Sequence, residues 1–490
     1  MPNRQNMIFY PIGEAGETVR PTKTDSTKPK KRKKPPRAEL SEIRFADEFH
    51  EKWNGGDQFR WRCENADWRS GRFWNSNVGW VGGDVTINFA RDRMANIIEV
   101  LCALEPIEED RKRSVARWCS NNRIAGALTL AASKVGVIAP TELWDADPEV
   151  IGLRDATKIN LRHGARQPQV PDDLIARALP VLPDPDCPTP ALDPVLDHMS
   201  GGEPELRTFY QIALGMSMYG HNEAEKAFFW YGAGASGKST LMSAVLAALG
   251  PYGARLNRET LEGETGQHLT FVAQLTGARI AVVAEMEGED LRTGRFKALV
   301  GGDEMMVNRM RQDPVPFRCV ATIHAMANPD CLPSLRQIDE SIRRRIVIVP
   351  AGESVPKADR DPQVKRQMTT EELPGIAQWL LDGAKAYHEH GLTIPARVQE
   401  ATDMFFIEAS PVGRWIKERC EIGPYRAAAS HLFIDFSAWY RQMGFRRAPL
   451  SMQAWGRALS TMGYERKKSN GKFHREGLRL QTGVETGRAA

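Results

Sequence analysis

The sequence lacks several features that would place it in common classes of protein. Among its 490 residues, no apolar run approaches the 18 residues that a membrane-spanning helix needs, and the N-terminus is too polar for a signal peptide. Seven cysteines are scattered without a C-x-x-C pair, so neither a disulfide framework nor a zinc ribbon is expected. These absences predict a soluble cytoplasmic protein with no membrane partner.

Charge is present but unevenly distributed. The formal net charge of +4 combines +6 over residues 1–40, +9 over residues 410–490 and therefore −11 over the middle. Cationic ends favour contact with the phosphate backbone of DNA, although solvated charge explains the N-terminal run equally well. Prolines beside like charges in Lys28–Arg37 predict a disordered tail.

The most specific motif is GAGASGKST at Gly232–Thr240, which fits the phosphate-binding loop G-x-x-x-x-G-K-[ST]. A strand pattern, KAFFWY, precedes it and a helical pattern, STLMSAVLAAL, follows it, whereas a glycine-rich turn is the alternative. In such a loop Lys238 reaches the β- and γ-phosphates of ATP and Ser239 offers its hydroxyl to Mg²⁺. ATP and Mg²⁺ are the expected cofactors, and the residues expected to bind the nucleotide are Gly232, Gly234, Ser236, Gly237, Lys238, Ser239 and Thr240.

Two later strand patterns end in polar residues. ARIAVVAE ends at Glu285, which is the candidate base for polarising water and the candidate second ligand of Mg²⁺. CVATIHAMAN ends at Asn328, which is placed to sense the γ-phosphate or to orient water. Both are predicted catalytic residues.

A run of three arginines precedes another apolar strand in IDESIRRRIVIVP, Ile338–Pro350. Arginines there suit a finger that stabilises transition-state charge on a neighbouring subunit's nucleotide, an effect on the order of 10³ in rate or more. Salt bridges to acids such as Asp339 and Glu340 are the alternative.

Taken together, the motifs resemble superfamily 3 helicases, in the branch of phage and plasmid primase-helicases that includes the poxvirus-type enzyme. The resemblance rests on GAGASGKST, RIAVVAE, FKALVGGD followed by NRMRQ, AMAN and ESIRRRIVIVP, in that order, with weaker signs at Trp144–Leu161 and Glu372–Tyr387. It implies a hexameric AAA+ ring with ATP held between subunits, in a bacterial host and encoded by a phage or mobile element. It also implies pore contacts to DNA from Lys297 and from Arg309 or Arg311, and it makes Arg344 and Arg345 the candidates for the catalytic finger.

Two departures from that family pattern matter. Ala284 precedes Glu285 where many phosphate-loop motors have paired acids, so Mg²⁺ is expected to rely on Ser239, Glu285, water and Glu287 as a further candidate. About forty residues precede the helicase-like region, too few for a primase, so a helicase without its primase domain is expected, with a separate primase or polymerase as partner. The Asp-x-Asp pairs at Asp145 and Asp184 are not expected to be catalytic.

The basic C-terminal region predicts a winged helix. Two amphipathic patterns at 430–444 and 450–464 are followed by a basic hairpin pattern with Asn470-Gly471 at its turn. A small protein-docking domain is the alternative. The residues expected to contact DNA here are Arg446, Arg447, Lys467, Lys468 and Lys472.

The predicted fold class is α/β, with an AAA+ P-loop NTPase core, an N-terminal α+β helicase-associated module and a C-terminal winged-helix domain. The predicted organisation is a disordered basic tail (1–40), the N-terminal module (41–165), a proline-rich extended connector (166–200), the ATPase domain (201–394), a helical linker (395–428), the winged helix (429–482) and a tail (483–490).

These expectations predict an ATP-dependent DNA helicase that translocates on DNA as a homo-hexameric ring in phage- or plasmid-type replication, on single-stranded and forked DNA. One alternative is a DNA-binding replication initiator ATPase without processive unwinding. A second is a DNA-binding scaffold with a silent nucleotide site, in which Lys238→Ala would leave function intact.

Overall fold

The computed structural model describes residues 40–54, 59–62, 71–134, 138–139, 141–262, 269–307, 314–329, 331–335, 338–443, 448–469 and 471–481. The predicted tails, apart from Leu40, lie outside these residues, as do Arg309, Arg311, Arg446 and Arg447. Within the described part of the chain, no helix combines the length and the apolar character needed to cross a membrane.

The N-terminal part packs a layer of helices beside short strands. Apolar residues recur at helical spacing on the longest helix, where Met94 and Ile98 are buried against Phe45 and Phe49. Its elements are α1 (Glu42–Phe49), β1 (Phe59–Arg62), β2 (Gly71–Asn75), β3 (Gly79–Val81), α2 (Asp84–Cys102), α3 (Glu108–Trp118), α4 (Asn121–Ala132), β4 (Ile138–Ala139), β5 (Val150–Gly152), β6 (Thr157–Asn160) and β7 (Arg166–Pro168).

The proline-rich stretch differs from the predicted extended connector. Leu179, Leu192 and Met199 are buried in the same apolar core as Trp230 of the central sheet, and the stretch ends in helix α5 (Leu192–Ser200). The prolines break regular structure, but the leucines between them still bury apolar surface. This stretch is therefore a packed part of the core.

A five-stranded sheet, parallel in every pairing, carries the phosphate-loop motif. The elements of this region are α6 (Pro204–Gly215), β8 (Ala227–Tyr231), α7 (Lys238–Leu249), β9 (Gly253–Arg255), β10 (Ile280–Val283), α8 (Thr293–Gly301), β11 (Glu304–Val307), β12 (Val315–Arg318), β13 (Thr322–Ala327), α9 (Glu340–Arg343), β14 (Ile346–Pro350), α10 (Pro362–Thr370) and α11 (Leu373–His390). The spatial order of the sheet is β14-β8-β13-β10-β9, and its three inner strands are buried along nearly their whole length, as a parallel sheet covered on both faces requires. This confirms the predicted α/β class.

Strands β11 and β12 form an antiparallel pair beside this sheet, in which Val307 lies opposite Val315. The pair is the base of the hairpin predicted between Gly301 and Phe317. Its tip, where Arg309 and Arg311 occur in the sequence, lies outside the described residues.

The C-terminal region corrects one prediction. The linker predicted to be helical over 395–428 is helical only to Arg419, because Cys420–Ala428 forms a strand that pairs antiparallel with the last strand of the chain. Trp415, Phe436, Trp455 and Leu478 pack into a separate core. The elements are α12 (Ala396–Glu408), α13 (Pro411–Arg419), β15 (Cys420–Ala428), α14 (Ala429–Gln442), α15 (Met452–Thr461), β16 (Arg466–Ser469) and β17 (Lys472–Leu480). The two helices and the hairpin lie where the sequence predicts them, and their identity as a winged helix stays a prediction.

Candidate nucleotide site

The phosphate-loop motif connects β8 directly to α7, as predicted. Gly237 has φ +103°, and a Cβ there would lie 3.2 Å from side-chain atoms of Met199 and Val195. A Cβ on Gly232 would lie 2.5 Å from the carbonyl oxygen of Ala351. The protein's own packing therefore requires glycine at both positions, whereas a Cβ on Gly234 would meet no protein atom within 4 Å.

Lys238 is buried and points back into the loop. Its Nζ donates hydrogen bonds to the carbonyl oxygens of Gly232 (2.7 Å) and Ala233 (2.9 Å) and to Oγ of Ser236 (3.2 Å). Burial lowers the pKa of Lys238, and the negative charge of Glu285 partly opposes that shift. An ammonium whose hydrogen-bond acceptors are neutral oxygens is well placed to bind a phosphate.

Backbone geometry adds to this preference for an anion. The first N–H groups of α7 have no partner within the helix, and its positive dipole end points at the loop. Ser239 and Thr240 stand in this first turn, and Ser239 is exposed. The loop residues thus fit a nucleotide phosphate.

Glu285 and Asn328 meet at the edge of the central sheet where β8, β10 and β13 end, named here the carboxyl edge. Nδ2 of Asn328 lies 3.4 Å from Oε1 of Glu285 and donates to it. Because β13 lies between β8 and β10, Asn328 stands between the phosphate loop and Glu285. The structure brings these three predicted elements together, and their catalytic roles stay predictions.

The donor set for a magnesium ion is small. Glu287, the further candidate ligand, is instead ion-paired with Arg258. Among the described residues, no group of three or more His, Cys, Asp or Glu side chains could hold a metal. Mg²⁺ at phosphate sites takes one or two protein oxygens, phosphate oxygens and several waters, so Ser239 and Glu285 fit the role expected of them.

The three arginines lie at the opposite edge of the sheet, named here the amino edge. They precede β14, whose first residue, Ile346, pairs with Ala227 at the start of β8. The phosphate loop, by contrast, follows Tyr231 at the end of β8. Five strand residues span about 16 Å, which is beyond the reach of an arginine side chain. Neither Arg344 nor Arg345 can therefore contact a phosphate bound by its own chain.

The alternative that these arginines form salt bridges is confirmed for Arg344 and Arg345, although the acid is neither Asp339 nor Glu340. Arg344 and Arg345 both pair with Glu225 instead. Asp339 caps α9 and pairs with Lys297 at 2.7 Å, so Lys297, predicted to contact DNA in the pore, is engaged by a carboxylate in this structure.

The lysines of the hairpin β16–β17 differ in their ion pairing. Lys467, Lys468 and Lys472 are all exposed, but Lys467 pairs with Glu476 at 2.7 Å. Arg475 of the same hairpin is buried and donates to the carbonyl oxygens of Gly456 and Tyr464, so it stabilises the region instead of facing a ligand.

Two buried groups have roles that the sequence reasoning missed. Arg279 donates to the carbonyl oxygens of Asp147, Pro148, Val150 and Met218 and thereby ties the start of β10 to the N-terminal part.

His324 lies inside β13 and bonds to Ser217 and Trp230. An arginine or a histidine within an otherwise apolar strand pattern was the available signal for both. Asp145, of the first Asp-x-Asp pair, accepts hydrogen bonds from the backbone of Ala176 and Arg177.

Two family models match the chain. The model described as "D5 N terminal like" matches residues 43–201, and a family of unknown function, DUF5906, matches residues 230–345. The first match overlaps the region in which the N-terminal module is predicted, and the identity of that module stays a prediction. The second match spans the phosphate loop, Glu285, Asn328 and the arginines.

A curated relative is the "Putative helicase L207/L206" of Acanthamoeba polyphaga mimivirus, 25% identical over 218 residues. The match covers 40% of this chain and 22% of that protein, so the chain spans less than a quarter of its relative's length.

Among solved structures, the A-form apo structure of the NrS-1 C-terminal region has a TM-score of 0.44 and 10% identity, covering 89% of this chain and 99% of that one. A JCV helicase bound to a thiazolopyridine acetamide has a TM-score of 0.24 and 12% identity, covering 46% and 71%. Both TM-scores lie below 0.5, so neither likeness carries an argument. The D5-like match and the mimivirus relative support a relationship between this chain and viral helicase-type proteins, and the subtype stays a prediction.

Proposed function

We propose that this protein is an ATP-dependent DNA helicase that works as a hexameric ring in phage- or plasmid-type DNA replication. One observation carries the proposal. Lys238, Glu285 and Asn328 converge at the carboxyl edge, while Arg344 is exposed at the amino edge of the same sheet. A single chain would thus supply most of a nucleotide site at the carboxyl edge. Its Arg344, at the amino edge, would complete the site of a neighbouring chain.

The chemistry assigned to the site is positioning and charge neutralisation. Bound ATP and Mg²⁺ would supply the phosphoryl group and the metal charge on its oxygens. Lys238 would release the loop carbonyls and bind the β- and γ-phosphates, and Glu285 would polarise the attacking water. Asn328, already bonded to Glu285, would hold that carboxylate and water in line.

The ring follows from where the arginine lies. A surface that presents Arg344 and a different surface that presents the phosphate loop make a head-to-tail contact, and repeated head-to-tail contacts close into a ring when the rotation allows. Six subunits are the number implied by the family resemblance. A neighbour's Arg344 would then stabilise charge on the γ-phosphate, as finger arginines do.

Contacts to DNA are proposed at two places. The hairpin built on β11 and β12 would project into the pore with Arg309 and Arg311, while Lys297 would contact DNA only after leaving Asp339. The C-terminal helices and the β16–β17 hairpin would bind duplex DNA as a winged helix, with Lys468 and Lys472 on phosphates.

Strand displacement on a forked duplex tests the proposal. The full chain is expected to separate the strands only with ATP and Mg²⁺, and Lys238→Ala is expected to abolish both ATP turnover and displacement. Lys385→Ala, an exposed lysine on α11, is the matched control and should behave as wild type. Displacement that survives Lys238→Ala would contradict the proposal.

A replication initiator ATPase is the second candidate, and the exposed lysines of the β16–β17 hairpin would bind duplex DNA in it as well. Such a protein would bind duplex DNA and hydrolyse ATP without processive unwinding. ATP turnover that is stimulated by duplex DNA but produces no strand displacement would select this candidate over the helicase.

A further inference from the structure

Glu225 lies in the turn that leads into β8 and holds two arginines at once. Its Oε2 atom is 2.6 Å from Nη2 of Arg344 and 2.7 Å from Nη2 of Arg345. That oxygen is buried, and none of the described residues gives it a hydrogen bond of good geometry. The contact is therefore a charge pairing that is not locked by directed hydrogen bonds.

The two arginines are not equivalent. The side chain of Arg345 is 9% exposed, and it also donates to the carbonyl oxygen and hydroxyl of Ser341, at 2.9 and 2.5 Å. The side chain of Arg344 is 50% exposed. Arg344 can therefore leave Glu225 without stranding a buried carboxylate, because Arg345 stays behind as its counter-ion.

Positive charge is in excess at this position. Nζ of Lys226 donates to the carbonyl oxygen of Arg344 at 2.5 Å, so a third cation lies beside the two arginines that pair with Glu225. The pKa of Lys226 is lowered by burial and, next, by the charge of Arg344. Mutual repulsion of this kind favours the arrival of an anion that draws Arg344 away.

The turn fixes where Glu225 points. Glu225 has φ +48°, in the left-handed region that disfavours residues with a Cβ. The turn is held by Asn222, whose carbonyl oxygen accepts from the N–H of Glu225 at 2.9 Å and whose Nδ2 donates to the carbonyl oxygens of Lys226 and, at the end of α8, Val300. A residue kept in a disfavoured backbone conformation is a sign of a functional constraint.

We infer that Glu225 is a positioning residue that holds Arg344 withdrawn in the free subunit and releases it to the triphosphate of a neighbouring subunit. This inference rests on the proposed role of Arg344 at a neighbouring subunit's nucleotide. It adds that the carboxylate of Glu225 and the triphosphate compete for the Arg344 guanidinium. Subunit docking and ATP binding are thereby coupled, because only a neighbour loaded with a triphosphate offers a better partner than Glu225.

The test measures ATP turnover per chain against protein concentration, with the full chain and a fixed amount of forked DNA. Glu225→Gln keeps the side-chain shape but removes the competing charge. It is expected to lower the protein concentration for half-maximal turnover by about two- to fivefold, the factor that a partly exposed ion pair is worth. Maximal turnover is expected to stay within about twofold of wild type, since Glu225 does not touch the nucleotide.

Two further variants separate the charge of Glu225 from its backbone conformation and from the charge of a neighbouring carboxylate. Glu225→Gly relieves the left-handed backbone and should shift the concentration in the same direction. Glu223→Gln alters a carboxylate two residues away whose side chain is 78% exposed, and it should change nothing. An unchanged or raised half-maximal concentration in Glu225→Gln and Glu225→Gly, or an equal shift in Glu223→Gln, would overturn the inference.

The same assay separates this inference from the proposed function. Arg344→Ala should lose turnover at every concentration, and the pair Glu225→Gln with Arg344→Ala should match Arg344→Ala alone. Full turnover by Arg344→Ala would reject the trans-acting arginine itself. Loss in Arg344→Ala without any shift in Glu225→Gln would reject only the withdrawal by Glu225.

Discussion

The indole nitrogen of Trp230 donates a hydrogen bond to Nδ1 of His324, 3.1 Å away, in the interior of the central sheet. Because an indole N–H only donates, Nδ1 is the acceptor, and the proton of the neutral ring is on Nε2, which donates to the hydroxyl of Ser217 at 2.8 Å. Ser217 in turn donates to the carbonyl oxygen of Ala213. This chain of bonds joins the strand before the phosphate loop to the strand that ends at Asn328.

Replacing His324 by Leu should therefore weaken the sheet that carries the site. The substitution leaves the indole N–H of Trp230 buried without an acceptor, which costs about 1–3 kcal/mol in the free energy of unfolding at pH 7. Urea unfolding followed by tryptophan fluorescence measures the change. His388→Leu, on the less buried side of α11, is the control and should cost less than about 0.5 kcal/mol.

The same variant has a predicted pH dependence. Burial lowers the pKa of His324 to about 3, against about 6.5 in the unfolded chain. The unfolded state binds more protons between these values, so this group's contribution to stability is complete above pH 6.5 and falls by about 1.4 kcal/mol per pH unit as the pH drops toward 3. The stability deficit of His324→Leu should therefore disappear or change sign between pH 7 and pH 4. A deficit that stays constant would contradict a neutral, buried His324.

Arg279 is expected to hold the N-terminal part against the sheet. Arg279→Met removes a guanidinium that serves four carbonyl oxygens, and the loss of these bonds should cost about 3 kcal/mol of unfolding free energy. Limited proteolysis should then cut faster around residues 145–150. Arg154→Met removes an exposed arginine that also donates to a carbonyl oxygen, and near wild-type stability is expected for it. Equal effects of the two variants would argue against the role of Arg279.

The local part of the candidate site was predictable from sequence. The phosphate loop, Glu285 and Asn328 each follow a strand pattern directly, and parallel strands bring their carboxyl ends to one edge. The pairing of Glu225 with Arg344 was not predictable, because the two residues are distant in the sequence and meet only where β14 lies beside β8. Long-range register of this kind leaves no local pattern.

The misjudged strand β15 has a similar cause. Its sequence, CEIGPYRAA, contains Gly423 and Pro424, which are unfavourable in strands, and the register shifts between Ile422 and Arg426 at that point. The strand forms because its partner β17 supplies the pairing. Likewise, the prolines in 166–200 gave no sign that Leu192 and Met199 are buried in the core of the central sheet.

Glu262 should make stability fall as the pH rises. Burial, and next the charge of Glu289, raises the pKa of this carboxyl to about 7, although it accepts a hydrogen bond from the N–H of Glu287 at 3.1 Å. The folded protein then holds a proton that the unfolded chain loses near pH 4.5, so the contribution to stability is complete below pH 4.5 and is lost as the pH rises toward 7. Glu262→Gln, which keeps an acceptor oxygen, should be more stabilising at pH 8 than at pH 5 in thermal unfolding.

The control for this prediction is Glu259→Gln, a partly exposed neighbour whose carboxylate lies near Arg258. Its effect on stability should be small at both pH values. A gain for Glu262→Gln that is equal at pH 5 and pH 8 would mean that Glu262 is already ionised at pH 5.

The lysines of the β16–β17 hairpin should differ in their contribution to DNA binding. Replacing Lys468 and Lys472 together by Gln should reduce the slope of log affinity against log salt by about 1.8, or about 0.9 for each phosphate that is no longer neutralised. Lys467→Gln should have less than half the effect of either single change, because Lys467 is already paired with Glu476. Fluorescence anisotropy of a labelled duplex over a range of salt concentrations measures the slopes. A slope that none of these changes alters would exclude the hairpin from the DNA interface.

Mixing two inactive variants tests the shared nucleotide site most directly. Lys238→Ala cannot bind the phosphates and Arg344→Ala cannot supply the finger, so neither alone should hydrolyse ATP. In a mixed ring, an interface is active when an Arg344→Ala chain holds the nucleotide and a Lys238→Ala chain supplies the arginine. When the two variants are present in equal amounts, roughly a quarter of the head-to-tail interfaces have this arrangement. A nucleotide site shared between two subunits predicts ATP turnover of that order in the mixture. No turnover in a mixture that forms rings, or full turnover by Arg344→Ala alone, would contradict it.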